Sequence, residues 1–171
     1  SFEGVKKAKA ELYDYIKGKS GTVFYNRGNQ ILCELIQDYD HTFSFGTHHA
    51  DFTGEPLESP PFVHIKAIFP KGNLYLNTQL TGNYNFENVL AAATVGYYFG
   101  VDPLKIKKAV QEYLPANNRS QLITKGDLKI IMDAYNANPT SMQASIKSFV
   151  SDFSTNAYLI LGDMLEVGEY R

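Results

Sequence analysis

The sequence predicts an α/β protein built as two units. Three observations carry that prediction. Stretches with apolar residues at helical spacing alternate with short apolar runs of strand length. Segments rich in glycine, proline and asparagine punctuate them. Beyond residue 118 the order becomes strand, helix, strand, with the spacing of a βαβ unit.

The elements follow in order. Residues 2–17 are expected to be helical, because Val5, Ala8, Leu12 and Ile16 form one apolar stripe, and Gly18 to Gly21 ends it. Residues 22–25 form a strand closed by Asn26, Arg27 and Gly28, and a helix follows through Leu35. Residues 42–45 form another strand. Residues 46–61 contain Gly46, Gly54, Pro56, Pro60 and Pro61 and are expected to be loop. Over residues 62–69 the pattern alternates: Val63, Ile65, Ala67 and Phe69 make a wholly apolar face, and the other face is mixed. A turn over 70–73 and a strand starting at 74–76 complete a hairpin.

Residues 85–98 give the clearest helix, with Phe86, Val89, Leu90, Ala93 and Tyr97 on its buried stripe and Gly100 as its stop. Asp102 and Pro103 supply a cap and a first-turn proline for the next helix, which carries Ile106, Ala109, Val110 and Tyr113 on one face. Residues 115–118 read as a linker, so the units are expected to cover 1–117 and 118–171. In the second unit, residues 129–132 are expected to be a buried strand ending at Asp133. Asn138 and Pro139 cap a helix to about Phe153, and residues 157–161 form a second buried strand ending at Gly162 and Asp163. Ligands in parallel sheets gather beyond the carboxyl ends of the strands, which would place Asp133 and Asp163 together.

Composition narrows the function classes. Of 171 residues, 44% are apolar and 20% are charged, which argues against disorder. A net charge of −2 gives no electrostatic case for nucleic acid or an acidic membrane surface. The longest apolar run, residues 89–101, falls short of the ~20 residues that span a bilayer. The sole cysteine, Cys33, cannot form an internal disulfide and lies in an apolar stretch, so a core role in a reducing, cytoplasmic setting is expected. No leader-like segment opens the chain, and its start at Ser1 rather than Met suggests a segment upstream.

One motif is a false lead. Gly18-Lys19-Ser20 resembles the end of a phosphate-binding loop, but that loop needs a glycine where Tyr13 stands, and it follows a strand rather than a helix. The four histidines, His41, His48, His49 and His64, lack metal-ligand spacing, and the pair His48-His49 is expected on a surface loop. Asn85 and Asn88 share a face at a helix start, and an amide offers both a donor and an acceptor. Taken alone they suit a cap and a solvated asparagine.

Four segments carry more information: Gly82-Asn83-Tyr84-Asn85-Phe86-Glu87-Asn88; Asn118-Arg119-Ser120-Gln121; Asp133-Ala134-Tyr135-Asn136-Ala137-Asn138-Pro139-Thr140-Ser141-Met142; and Leu161-Gly162-Asp163-Met164-Leu165-Glu166-Val167-Gly168. In this order and spacing they resemble the Mur ligase family of ATP-dependent peptide ligases. The opening, Ser1-Phe2-Glu3-Gly4-Val5 with Lys9-Ala10-Glu11-Leu12, is similar to the central domain of the same family.

The resemblance implies the later part of a central ATPase domain over 1–117, then the first βαβ unit of a Rossmann-like C-terminal domain over 118–171. Such a chain would be an internal stretch of a longer enzyme whose phosphate loop precedes it. The implied cofactors are ATP and Mg²⁺. The implied partners of the intact enzyme are UDP-N-acetylmuramoyl-tripeptide and D-alanyl-D-alanine, joined in the cytoplasm during peptidoglycan synthesis. The implied chemistry has two steps: ATP phosphorylates a carboxylate, and an amine then displaces phosphate.

The resemblance also assigns residues. Asn88, with Asn85, would meet the edge of adenine. Arg119 would meet phosphate or ribose, and Asp133 would accept from ribose hydroxyls. Asn136 and Asn138 would line the site, with Asp163 and Glu166 nearby. Lys9 would be the catalytic lysine, carbamylated so that it presents oxygen to Mg²⁺. Tyr84 departs from the family's usual histidine. Two rival readings are a non-catalytic module of the same fold and a folylpolyglutamate-synthase-like ligase, the latter disfavoured by Tyr135-Asn136-Ala137-Asn138.

Overall fold

The computed structural model describes residues 2–116, 118–153 and 155–164. Its first unit runs α1 (Phe2–Gly18), β1 (Val23–Asn26), α2 (Gln30–Ile36), β2 (Thr42–Gly46), β3 (Phe52–Leu57), β4 (Phe62–Phe69), β5 (Gly72–Thr81), a 3₁₀ turn (Asn83–Asn85), α3 (Phe86–Tyr98) and α4 (Pro103–Glu112). The second holds β6 (Gln121–Lys125), β7 (Leu128–Met132) and α5 (Pro139–Asp152). The mixed α/β class is as predicted.

The strands of the first unit form one sheet in the order β1-β2-β3-β4-β5. β1, β2 and β3 are parallel, and the β3–β4 and β4–β5 pairs are antiparallel. The alternation in β4 decides which face is covered. Val63, Ile65, Ala67 and Phe69 are all buried, and α3 lays Val89, Leu90 and Ala93 against them. Burying one such aliphatic side chain contributes about 1.5–3 kcal/mol. A smaller core joins Val23 and Tyr25 of β1 to Ile36 of α2, with Tyr13 and Ile16 of α1 packed on it.

β3 corrects the expectation of loop over residues 46–61. Its Pro56 lacks an N–H, which normally bars proline from a central strand. Here β2 pairs with β3 only through Phe45–Phe52 and Gly46–Thr53, so at Pro56 that edge of β3 needs no ladder donor. Gly54 lets α3 pack closely, because a Cβ there would sit 2.6 Å from Leu90 Cδ1 and force that side chain to shift.

The stripe predicted on α1 is not a buried one. Val5 and Leu12 are about 60% exposed, and only the end carrying Tyr13 and Ile16 reaches the core. The reason is that no layer covers the rest of that face among the described residues.

The second unit departs most from expectation. The run at 129–132 does form β7, but it pairs antiparallel with β6 in a hairpin, and Leu128 is 66% exposed. The helix appears as α5 with its predicted cap: Asn138 Oδ1 accepts from the Ser141 N–H at 2.9 Å, and Ser141 Oγ accepts from the Asn138 N–H at 3.2 Å. Residues 157–161 form no strand, and Ile160 is 99% exposed. The βαβ unit is therefore not closed, and Asp163 does not sit at a strand end beside Asp133. An apolar parallel strand is stabilised by neighbours on both edges and helices on both faces, and the described residues supply neither here. No described helix is long and apolar enough to cross a membrane.

Candidate functional site

The two units meet where β5 turns into α3 and the linker turns into β6. Gly82 makes the first turn possible. Its φ is +82°, and a Cβ there would fall 2.3 Å from the Tyr84 ring. The ring thus packs directly over bare backbone, and the next residue, Asn85, is buried. On the linker side Asn118 and Ser120 have φ of 56° and 49°, the left-handed region that costs a non-glycine residue roughly 1 kcal/mol or more. Asn118 O accepts from the Ala134 N–H at 2.8 Å, which ties the linker to the segment after β7.

Ser120 is the hub of the junction and is 3% exposed. Its carbonyl accepts from Thr81 Oγ at 3.3 Å, and its N–H donates to Asp133 Oδ1 at 3.1 Å. Its hydroxyl lies 2.9 Å from both Asn85 Nδ2 and Tyr84 Oη. Tyr84 donates to Asp133 Oδ2 at 3.0 Å, and Ser145 Oγ approaches the same oxygen at 3.4 Å. Asn85 Nδ2 also donates to Thr81 O at 2.9 Å, and Asn85 Oδ1 accepts from Asn88 Nδ2 at 2.9 Å. Burial pushes the Tyr84 phenol above its ordinary range against the lowering bond to Ser120, and the Asp133 charge adds to the rise. The phenol is therefore a donor at neutral pH.

Asn85 and Asn88 from one segment and Asp133 from another are thus joined in one network. Arg119 stands beside it, its guanidinium carbon 3.8 Å from the Tyr135 ring centroid. Such a stack holds the planar cation by its face and leaves its edge donors directed outward. Asn138 is occupied as the α5 cap, and Asn136 Oδ1 accepts from the Ala137 N–H at 2.8 Å in a local turn. Neither bonds to the junction residues. Lys9 is exposed on α1, and Glu166 lies outside the described residues.

Two cavities flank the junction. An apolar groove of about 460 Å³ runs between α3 and α4, with Leu80, Val89, Ala92 and Tyr113 in its wall and Asn88 and Lys105 as its polar members. A second cavity of about 330 Å³ opens beyond the carboxyl ends of parallel strands β1 and β2, beside the first turn of α3. It is lined by Asn26, Arg27, Thr47, His48, His49 and Glu87, among others. His48 and His49 are exposed, as expected, and form part of its rim. Arg27 Nη1 donates to Tyr25 Oη at 2.9 Å, and that bond, with the charge of Asp51, holds the guanidinium firmly protonated. Burial alone would raise the Asp51 carboxyl, but bonds from Ser44 N at 2.7 Å and Ser44 Oγ at 2.6 Å outweigh it and hold it below its ordinary value.

Sequence reasoning missed this second cavity and missed Ser120 and Tyr84 as members of the site. The cavity had a signal: Asn26-Arg27-Gly28 and Gly46-Thr47-His48 each end a strand, and parallel strand ends are where ligands gather. Ser120 stood in the Asn118–Gln121 segment, but its role depends on residues brought to it from β5, the turn before α3 and the end of β7.

Comparison with known proteins agrees with this architecture. Residues 1–96 match the family described as Mur ligase middle domain, and residues 118–171 match Mur ligase, glutamate ligase domain. The chain is 32% identical over 171 residues to UDP-N-acetylmuramoyl-tripeptide--D-alanyl-D-alanine ligase of Bacillus subtilis, covering 99% of this chain and 37% of that protein. It is 33% identical over 175 residues to the protein of the same name from Buchnera aphidicola, again covering 99% and 37%. Among solved structures, MurF from Acinetobacter baumannii superposes with a TM-score of 0.76 at 26% identity, over 90% of this chain and 34% of that one. The chain therefore spans little more than a third of the length of these relatives. With its first 96 residues on the middle-domain pattern and its last 54 on the C-terminal one, the chain belongs to the Mur ligase family.

Proposed function

We propose that this chain is part of an ATP-dependent ligase that joins D-alanyl-D-alanine to UDP-N-acetylmuramoyl-tripeptide in cytoplasmic peptidoglycan synthesis, and that its junction takes the adenosine portion of ATP. The division of labour would fall at 117/118, between a unit 1–117 and a unit 118–171. The observation that carries the reading is the hydrogen-bonded line from Asn88 through Asn85 and Ser120 to Asp133, which connects both units. It places an amide and a carboxylate at a junction flanked by an apolar groove. A purine wants an apolar slot with an amide at its edge, and a ribose wants an acceptor for its hydroxyls.

The residues present fit a nucleoside. Asn88 would meet the base, Asp133 would accept from the ribose, and Arg119 would direct its edge donors toward ribose or phosphate. Asn136 and Asn138 would line the far side through their backbone turns. Bound ATP would supply the phosphoryl group that activates a carboxylate. Around it, this chain's part is to orient the nucleoside and, by bringing the two units together, to exclude water.

The residues do not fit a metal by themselves. Among the described residues, no group of three His, Cys, Asp or Glu converges on one point. Lys9, proposed as the catalytic lysine and as one Mg²⁺ ligand in its carbamate form, would supply a single carboxylate-like group. Lys9→Ala in the intact ligase should remove most turnover, without rescue by bicarbonate, and near-normal activity would return Lys9 to a solvated helix lysine.

Two measurements test the nucleoside reading. In the intact ligase, Asn88→Ala and Asp133→Ala should raise KM for ATP more than KM for the peptide substrate, each by the ~0.5–1.5 kcal/mol of one hydrogen bond or more. Unchanged ATP kinetics in both would refute it. The 171-residue chain alone should bind ATP and adenosine comparably and weakly by calorimetry and release no phosphate, since no glycine-rich phosphate loop is in its sequence. Tight, Mg²⁺-dependent ATP turnover by the chain would mean the phosphate site lies here.

A further inference from the structure

We propose that Tyr84, with Ser120, is a positioning residue of this site: a one-way line of hydrogen bonds through them fixes how Asp133 presents its carboxylate to the nucleoside. The inference rests on the adenosine reading above and adds to it two residues that touch no ligand.

The direction of the line is forced by chemistry. A backbone carbonyl can only accept, so the Asn85 amide must turn its Nδ2 toward Thr81 O. The same NH₂ group then gives its other hydrogen to Ser120 Oγ. That leaves Asn85 Oδ1 facing Asn88, so Asn88 must donate through Nδ2. At the other end, a carboxylate can only accept, so Tyr84 spends its single phenolic hydrogen on Asp133 Oδ2. Tyr84 Oη can then only accept from Ser120, whose hydroxyl hydrogen has no other role. Every donor in the line from Asn88 to Asp133 points toward the carboxylate. Bonds in series of this kind polarise and strengthen one another.

Two consequences follow for the ligand. Asn88 has given one N–H inward and keeps its carbonyl oxygen as an acceptor beside its remaining N–H. That oxygen suits a base whose edge offers an amino group. Asp133 has Oδ2 engaged by Tyr84, while Oδ1 holds only the Ser120 N–H, so Oδ1 keeps room for a hydroxyl donor. A phenylalanine at position 84 would preserve the packing over Gly82 and cut the line at its last link. The carboxylate could then rotate, while Thr81 O would still hold Asn85, and through it Asn88, in place.

The test is steady-state kinetics of the intact ligase with ATP and with ITP, whose base carries a keto oxygen where adenine has its amino group. Tyr84→Phe should raise KM for ATP roughly tenfold, the scale of a hydrogen bond to a charged group, and leave KM for both peptide substrates unchanged. Its preference for ATP over ITP should hold, because Thr81 O still orients Asn85 and Asn88. Ser120→Gly, which cuts the same line one link earlier and relieves the left-handed backbone, should give the same pattern, so the test survives if either variant folds poorly. Tyr84→Phe combined with Asp133→Asn should be no worse than the more damaging single change. Equal rises in all three KM values, or strict additivity, would reduce Tyr84 to a structural tie and overturn the proposal. If Asn88→Ala and Asp133→Asn leave ATP kinetics untouched, the adenosine reading itself falls. If those two raise KM for ATP and Tyr84→Phe does not, only the positioning role falls.

Discussion

The two units of this chain handle similar apolar content in opposite ways. In the first, the apolar face of β4 is covered by α3, and Ile65, Ala67, Leu90 and Ala93 are completely buried. In the second, α5 has no buried residue at all, and the β6–β7 hairpin leaves Leu128 and Ile130 facing outward. The difference teaches where stability resides. The first unit owns both layers of its core, whereas the second is held by capping, by the hairpin ladder and by the hydrogen bonds of the junction. Its geometry near Asp133 is therefore set from outside, by Tyr84 of the first unit directly and by Thr81 and Asn85 through Ser120.

The strongest way to break this comparison is to remove the core it depends on. Leu90→Ala should destabilise the first unit by about 2–5 kcal/mol in urea unfolding, because Leu90 is fully buried against β4 and Gly54. A cost under about 1 kcal/mol would mean the sheet is not the cooperative centre. A smaller effect is expected in the second unit from Asn138→Ala. It removes the cap of a helix without buried anchors and should cost about 1 kcal/mol, seen as faster hydrogen exchange over the first turn of α5 with little change in the sheet.

A pH series sharpens the contrast further. Burial on β4 holds the His64 imidazole below its ordinary 6.5. The fold thus favours the neutral ring. The stability this reflects is complete above 6.5 and is lost as pH falls through the lowered folded value. Asp51 acts in the same direction at lower pH, its contribution complete above 3.8 and lost as pH falls through its depressed folded value. Between about pH 7.5 and about pH 5.5, the parent should lose more stability than His64→Gln, with the difference confined to the first unit. Parallel curves would show that the ring does not titrate on unfolding. The smallest effect is predicted for Leu128→Ser, within about 0.5 kcal/mol, because that side chain already faces water. A cost of several times that would show the hairpin face to be covered in solution, and the contrast drawn here would fail.

Local signals in the sequence were enough for elements that carry their own reasons. The alternation of Val63, Ile65, Ala67 and Phe69 announced β4 and its buried face, and the stripe of Val89, Leu90 and Ala93 announced α3. Asp102 with Pro103 and Asn138 with Pro139 marked the starts of α4 and α5, since a cap is a local contract between a side chain and the next few N–H groups. Asn85, Asn88 and Asp133 were legible as polar residues at element ends.

Tertiary structure alone decided the rest. Pro56 spoke against a strand, and only the short β2–β3 pairing makes it harmless. The apolar runs at 129–132 and 157–161 looked identical in kind, yet one found a partner in β6 and the other found none, because strand formation requires a neighbour that the run itself cannot specify. The orientation of Asn88 was likewise beyond the sequence. An amide presents a donor or an acceptor according to what sits behind it, and here that is Asn85 Oδ1, itself turned by Thr81 O, thirty-nine residues from the serine that completes the line and joined to it only by folding.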